Sequence, residues 1–313
     1  MVLTSRRSFL AQTAAVALAS SMRSTKAWAA ASPSPIGLEL YTVGELLTKD
    51  PAGTLRKVAA IGYQEVEVSG FANLTPAALR KLIDEAGLKC PAAHLQFGFK
   101  ETAKVLEEAK ALGVPYAASS ILLPASDAPP SSAGGFGGVM AKLNSLTLDD
   151  FKRIAERANK IGEETKKAGV QFGYHNHTHE FRDLGGGQTG YAILLAETDP
   201  ALVQFEADCG WMVTAGANPI EYFKIHPNRY RVIHVKDFPA GTKVTTTMGG
   251  ADGPHPTELG RGHIDYKPIL AAAKRAGVEH FFVEQDPPMA GMTPLEAAEI
   301  DYTYLQSINK MLA

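Results

Sequence analysis

Four stretches of the chain place metal-binding or proton-moving side chains directly after an apolar run. They are Tyr174-His175-Asn176-His177, Glu206-Ala207-Asp208, His234-Val235-Lys236-Asp237 and Glu284-Gln285-Asp286. Each is separated from the next by enough chain for a helix. Strands lying side by side and parallel would open all four on one rim of a sheet. Carboxylates and imidazoles converging there without a cysteine suit a divalent metal with O/N ligands. Alternation along a strand gives Glu206 and Asp208 the same facing, and likewise His175 and His177, or His234 and Lys236. Inward charge at a strand end is costly unless it is paired or metal-bound. Four such ends together therefore point to a site rather than to isolated core histidines.

The elements that must position these residues are marked by one repeated joint. Ala60-Ile61-Gly62-Tyr63, Glu85-Ala86-Gly87-Leu88, Ala111-Leu112-Gly113-Val114, Lys167-Ala168-Gly169-Val170 and Arg275-Ala276-Gly277-Val278 share a form. In each, a helix-like segment ends at a glycine that can adopt the left-handed conformation, and an apolar strand starts at once. The spacing predicts strands near 36–41, 63–68, 89–95, 114–120, 170–176, 202–208, 231–236 and 280–285. Helices are expected near 51–61, 75–86, 100–112, 147–168, 188–197, 217–226, 265–276 and 293–311. Thr75-Pro76 and Thr293-Pro294 supply caps with proline at the first helical position. Eight such βα units predict an α/β fold, a (β/α)8 TIM barrel. A doubly wound sheet is the alternative, but no Gly-x-Gly-x-x-Gly follows the first strand and no Walker loop occurs.

Two interruptions, Pro124–Ser145 and Pro239–Arg261, fall after strands, on the rim where barrel enzymes build their sites. They are read as lids or as plain insertions. The run Gly185-Gly186-Gly187 is read as a turn.

At the N-terminus, Ser5-Arg6-Arg7-Ser8-Phe9-Leu10, an alanine-rich run to Ala19 and Ala27-Trp28-Ala29 follow the order of a twin-arginine signal peptide. The apolar run is too short to span a membrane. Residues 1–29 are thus expected to be a leader, 30–313 a single barrel domain, and the mature protein periplasmic and without a membrane partner. Loss of Arg6, Arg7, Arg23 and Lys26 from 31 basic residues leaves 27 against 33 acidic ones, a formal net charge of −6. That acidity argues against a nucleic-acid partner. A homo-oligomer stays open. Cys90 and Cys209 are expected at opposite rims as free, partly buried thiols, too far apart for a bridge.

The chain resembles the xylose isomerase-like TIM barrels, which include sugar isomerases, epimerases, inosose dehydratases and endonuclease IV. The resemblance spans nearly all of the mature chain. It is carried by Tyr174-His175-Asn176-His177 with Glu180-Phe181, by Asp208-Cys209-Gly210-Trp211 and by His234-Val235-Lys236-Asp237. Gly260-Arg261-Gly262-His263-Ile264-Asp265 and Val283-Glu284-Gln285-Asp286 carry it further. It implies one divalent metal ion (Mn, Mg, Co or Zn), with Asp208, His234 and Glu284 as ligands and His175 in the place of a fourth. Epimerases of the superfamily carry glutamate at that fourth position, as ligand and as one of two acid/base carboxylates. Here His175 replaces it, which favours elimination or hydration chemistry without deciding it. The implied partner is a small-molecule sugar.

Such a site suits proton abstraction next to the carbonyl of a keto-sugar or keto-glycoside, as an isomerase, epimerase or lyase. Candidate catalytic residues are Glu284, His177, Glu180 and Lys236, the last as oxyanion stabiliser or acid, or else simply salt-bridged. Candidate substrate contacts are His94, Trp211, Glu67 and Glu258, with Glu39 weighed beside Glu67. For Glu39 and Glu67 the alternative is pairing with inward-facing cations; His226, His255, His263 and His280 are read as mostly solvent-facing or structural, with entry into the pocket left open for His263. A metal-dependent phosphodiesterase or a non-catalytic sugar-binding protein are readings from other classes.

Overall fold

Eight short parallel strands pair in chain order and close into a barrel in a computed structural model that describes residues 34–124, 135–249, 253–287, 289 and 291–312. They are β1 (Ile36–Glu39), β2 (Glu65–Val68), β3 (Lys89–His94), β4 (Tyr116–Ser119), β5 (Gln171–His175), β6 (Val203–Asp208), β7 (Tyr230–Val235) and β8 (His280–Val283). Gly37 closes the ring, lying opposite Glu65 on one side and Phe282 on the other. A Cβ at that position would come within 2.3 Å of the Phe282 ring, so only glycine allows the approach. The leader expected over 1–29 lies outside the described residues.

The helices are α1 (Gly44–Lys49), α2 (Pro51–Ile61), α3 (Pro76–Glu85), α4 (Thr102–Leu112), α5 (Gly135–Asn144) and α6 (Leu148–Lys167). They continue with α7 (Gly190–Glu197), α8 (Cys209–Thr214), α9 (Pro219–Ile225), α10 (Tyr266–Ala276) and α11 (Pro294–Leu312). All five joint glycines have positive φ, from 68° at Gly113 to 123° at Gly62, as the repeated motif requires. The Thr75 side chain accepts from Ala78 N, and Thr147 and Asp150 form a reciprocal capping box on α6. Three helices were not legible in the periodicity. The short α1 and α8 offer too few turns to show it. The glycine-rich α5 lies inside the first interruption. No helix among the described residues is long and apolar enough to cross a membrane.

Strand β2 shows how the sheet divides its side chains. Val66 and Val68 join the main core between sheet and helices, while Glu65 and Glu67 turn into the barrel and meet His280 and His234. Ala92, Val232 and Phe282 form a separate apolar cluster against Tyr116. Cys90 and Cys209 are free and both buried, deeper than the sequence implied.

The second interruption is tied at its root. The Asp237 carboxylate accepts backbone N–H groups from Phe238 (2.8 Å), Ile264 (3.0 Å), Gly260 and Gly262 (both 3.1 Å). A Cβ on residue 262 would fall 2.1 Å from Asp237 Oδ1, which explains the glycine there.

Candidate active site

The four strand ends singled out in the sequence meet at the C-terminal rim. One ligand atom each from His175, Asp208, His234 and Glu284 lie within 4.8 Å of one another. The sheet register makes this possible, since His175 is opposite Glu206 and Asp208 is opposite His234. Asp208 also caps α8: its Oδ1 accepts from Trp211 N at 2.8 Å. Asn176 brackets the same strand end, donating to Asp208 O at 3.3 Å and accepting from Asp208 N at 3.2 Å.

A second tier of charge lies beneath the first. His234 Nε2 is 2.7 Å from Glu67 Oε2 and 2.9 Å from Glu206 Oε1, while Nδ1 is 2.7 Å from Glu284 Oε2. His175 Nδ1 is 2.8 Å from Glu206 Oε1, and His94 Nε2 bonds to the same oxygen. The His94 and His234 rings stack at 5.1 Å with 8° between their planes. Burial opposes charge on His94, but Glu206 and Glu67 outweigh it and lift the imidazole to about 10. Burial likewise opposes charge on Glu206, yet His94 and His234 hold its carboxyl well below the ordinary range. Glu67 goes the other way, pushed well up by burial and by the Glu206 charge.

Lys236 is the one lysine in this cluster, and it is fully occupied. Its Nζ lies 3.0 Å from Asp286, 3.1 Å from Glu284 and 3.5 Å from Asp208, and 4.7 Å from the centre of the Trp211 ring. Those carboxylates outweigh burial and hold the ammonium well above the usual lysine range. Glu284, although buried, is held well below the usual carboxylate range by Lys236 and His234. Asp208 is pushed by burial to about 6, against the pull of Lys236.

The donor set fits a divalent cation. Asp208 Oδ2 is buried and accepts no hydrogen bond, since Oδ1 alone serves the α8 cap and the Lys236 ammonium stands off Oδ2 at 3.5 Å. Two imidazoles and two carboxylates supply the O/N chemistry such a cation takes. The lower carboxylates face the remaining nitrogens of His234 and His175, the outer hydrogen bonding that orients metal-binding histidines.

Above this lies a cavity of about 460 Å³. His94, His175, His177, Trp211 and Glu284 line it, so five of the residues anticipated from the sequence reach one space. Asp208 and His234 lie below its wall. Lys236, Glu67, Glu180 and Glu258 do not line it either. Glu67 is paired with His234, the alternative weighed for it in the sequence. Glu180 is locked by the Tyr174 hydroxyl (3.0 Å) and His177 N (3.0 Å), and burial pushes it to about 8 despite them. Glu258 contacts Gln285 Nε2 at 3.3 Å and Arg261 at 3.2 Å. His177 is held well below its usual value by burial and by its histidine neighbours, and its Nδ1 has no partner.

Glu39, weighed beside Glu67, and Asp286, in the fourth strand-end stretch, also line the cavity, while Tyr41 and His255 were missed as contributors. His255, read as solvent-facing or structural, comes in on the loop after β7, where no periodicity signals direction. Glu206 had a signal, its two-residue offset from Asp208, but its role as the hub of three histidines depends on contacts across the barrel.

The family described as xylose isomerase-like TIM barrel matches residues 55–306. The chain belongs to this family. The xylose isomerase-like barrel is 26% identical over 294 residues to an inosose dehydratase from Lacticaseibacillus casei, covering 87% of this chain and 95% of that one. A sugar phosphate isomerase/epimerase from Parabacteroides distasonis superposes with a TM-score of 0.68 at 25% identity, covering 89% and 96% of the two chains. The fold is shared with the IOLI protein, whose structure carries a zinc atom (TM-score 0.64, 14% identity, 89% and 99% covered). Like the dehydratase and the isomerase/epimerase, this barrel is an enzyme.

Proposed function

We propose that this enzyme removes a proton from the carbon next to the carbonyl of a keto-sugar or keto-glycoside, with a divalent metal held by His175, Asp208, His234 and Glu284. The observation that carries the reading is the four-residue O/N cluster beneath the cavity, in which buried Asp208 Oδ2 accepts no hydrogen bond and faces only the Lys236 ammonium at 3.5 Å. A bound divalent metal supplies Lewis-acid stabilisation of charge growing on a carbonyl oxygen. Glu284 and His177 reach the cavity from different strand ends, and each is in its proton-accepting form near neutral pH. Glu180 is a positioning residue that fixes the His177 backbone. Lys236 holds Glu284 and Asp286 in place from behind Trp211.

Returning the proton to the neighbouring carbon isomerises, and returning it to the opposite face epimerises. A second reading is elimination, in which a β-substituent leaves. Two features support it: His175 standing where the resemblance expects a second carboxylate, and His94 lining the cavity with its imidazole raised, despite burial, to about 10 by Glu206 and Glu67. The dehydratase relative supports the same direction. We also place the mature enzyme in the periplasm, on the Arg6-Arg7 leader.

Incubation of metal-loaded protein with keto-glycosides and free ketoses in D₂O, followed by NMR, tests the reaction. Deuterium at a carbon next to the carbonyl with no net change marks isomerase-type chemistry, and an enone or released aglycone marks a lyase. Glu284→Gln should lose both metal retention and exchange. Unchanged metal content and activity in that variant would sink the site assignment.

A further inference from the structure

The cavity has two chemically different halves. Its floor is ionic, made by Glu39, His94, His175, His177, Glu284 and Asp286. The segments after three strands add an apolar share to the wall: Leu95 and Phe99 after β3, Ile121 and Met140 after β4, and Met248 and Pro254 after β7, with Gln96, Ser120, Thr247 and His255 beside them. The apolar members give a surface that a sugar's hydroxyls do not match.

The wall is built into the fold. Asn144 at the end of α5 makes a reciprocal amide pair with Met248, donating to its O at 2.9 Å and accepting from its N at 2.8 Å. Thr245 N adds a bond to Thr214 O at 3.0 Å. Gly249 lies alongside Met140, where a Cβ would make an ordinary van der Waals contact at 3.5 Å. The insertions after β4 and β7 are thus clasped together over the floor. On the other side Gly98 packs on the Ile121 carbonyl, where a Cβ would clash at 2.1 Å.

Charge sets a second limit. No lysine or arginine is among the described residues lining the cavity, whereas Glu39, Glu284 and Asp286 are. Lys236 is held by three carboxylates behind Trp211. The stretches 125–134 and 250–252 contain no lysine or arginine in sequence, only Asp127 and Asp252. A phosphate dianion is ordinarily gripped by arginine forks or lysine. The described residues of the cavity wall offer neither.

We propose that the substrate is an uncharged keto-glycoside with an apolar aglycone seated against Leu95, Phe99, Ile121, Met140, Met248 and Pro254, and that phosphorylated sugars are rejected. This rests on the reading of the floor as a carbonyl-chemistry site and names the substrate class for it. The keto-sugar ring meets the ionic floor beside Trp211, and the aglycone lies against the clasped loops. The cavity volume falls in the range of about 300–1,000 Å³ typical of pockets for drug-sized ligands. An apolar group filling such a wall is worth about tenfold or more in kcat/KM.

The test uses the full metal-loaded chain and four compounds: phenyl 3-keto-glucoside, methyl 3-keto-glucoside, free 3-keto-glucose and its 6-phosphate. Exchange or product formation gives kcat/KM, and quenching of tryptophan fluorescence by unreactive phenyl glucoside and glucose, read in a Trp28→Phe background so that Trp211 is the remaining indole, gives binding. We expect the phenyl compound to exceed the methyl one by about tenfold or more, with the phosphate last. Met248→Glu should shrink the phenyl-to-methyl ratio below about threefold. The proposal is overturned if the phosphate or the free sugar matches the phenyl glycoside, or if Met248→Glu leaves the ratio intact. If no compound exchanges while phenyl glucoside still binds tenfold tighter than glucose, the aglycone assignment stands and the reaction reading fails. Equal exchange on all four does the reverse.

Discussion

Glu206 Oε1 lies 2.8 Å from His175 Nδ1, so the inner nitrogen of that ring is committed and its Nε2 is the one left for a ligand. The same oxygen is 2.9 Å from His234 Nε2 and bonds to His94 as well. One carboxylate thereby orients three imidazoles. Glu206→Gln keeps an acceptor but removes the charge that offsets His94 and His234. Divalent-metal affinity should fall about 10- to 100-fold, the usual cost of losing such an outer partner. Isothermal titration of apo protein measures it. Wild-type affinity in the variant would mean that the rings are oriented by their packing alone.

Lys236 is buried and shared among Asp208, Glu284 and Asp286. Lys236→Met leaves three carboxylates facing one another, and breaking a buried pair in this way costs about 3–5 kcal/mol. Urea denaturation should show that loss. A divalent cation supplies the missing positive charge, so metal should raise the variant's midpoint more than the wild type's. An equal gain in both would place the cation away from these carboxylates.

Asp301 anchors the loop before α10 by accepting Leu259 N at 2.6 Å, and burial pushes its pKa from 3.8 to about 8. A carboxyl raised on folding favours the native state fully below its unfolded pKa and loses that contribution as pH rises to the folded value. Stability should therefore fall between about pH 4 and 8, by up to about 1.4 kcal/mol per pH unit from this group. Asp301→Asn keeps the acceptor oxygen and should remove that slope. Urea midpoints at pH 5 and pH 8 decide the matter, and identical slopes in both proteins would count against it.

The leader proposal is tested by Arg6→Lys combined with Arg7→Lys. Cell fractionation should find wild-type protein shortened in the periplasm and the variant retained at full length in the cytoplasm. Equal periplasmic yields would remove the case for twin-arginine export.

Much of the barrel was legible because its signals are local. A glycine at a helix end and an apolar run after it are features of ten consecutive residues, and the strands fall within a few residues of their expected places. The rim residues were legible for the same reason, since each ends its own strand. Pairings across the barrel were not. Glu67 and His234 are 167 positions apart and meet only after closure. Helix α5 begins Gly-Phe-Gly-Gly, a poor helix former by propensity. It is supported by tertiary contacts, Val139, Met140 and Leu143 in the core and Asn144 on the far loop. No sequence period reports a clasp of that kind.

The four backbone donors gathered by Asp237 have a further consequence. Both ends of the 239–261 excursion are fastened at the rim, so the entropy of closing that loop is set at its root and changes slowly with its length. Residues can be added, removed or exchanged between the fastened ends without shifting β7 or the ligands upon it. The proposed aglycone wall and the proposed metal site are thereby mechanically separable, and the roof can be rewritten in evolution or in the laboratory while the floor stays in register.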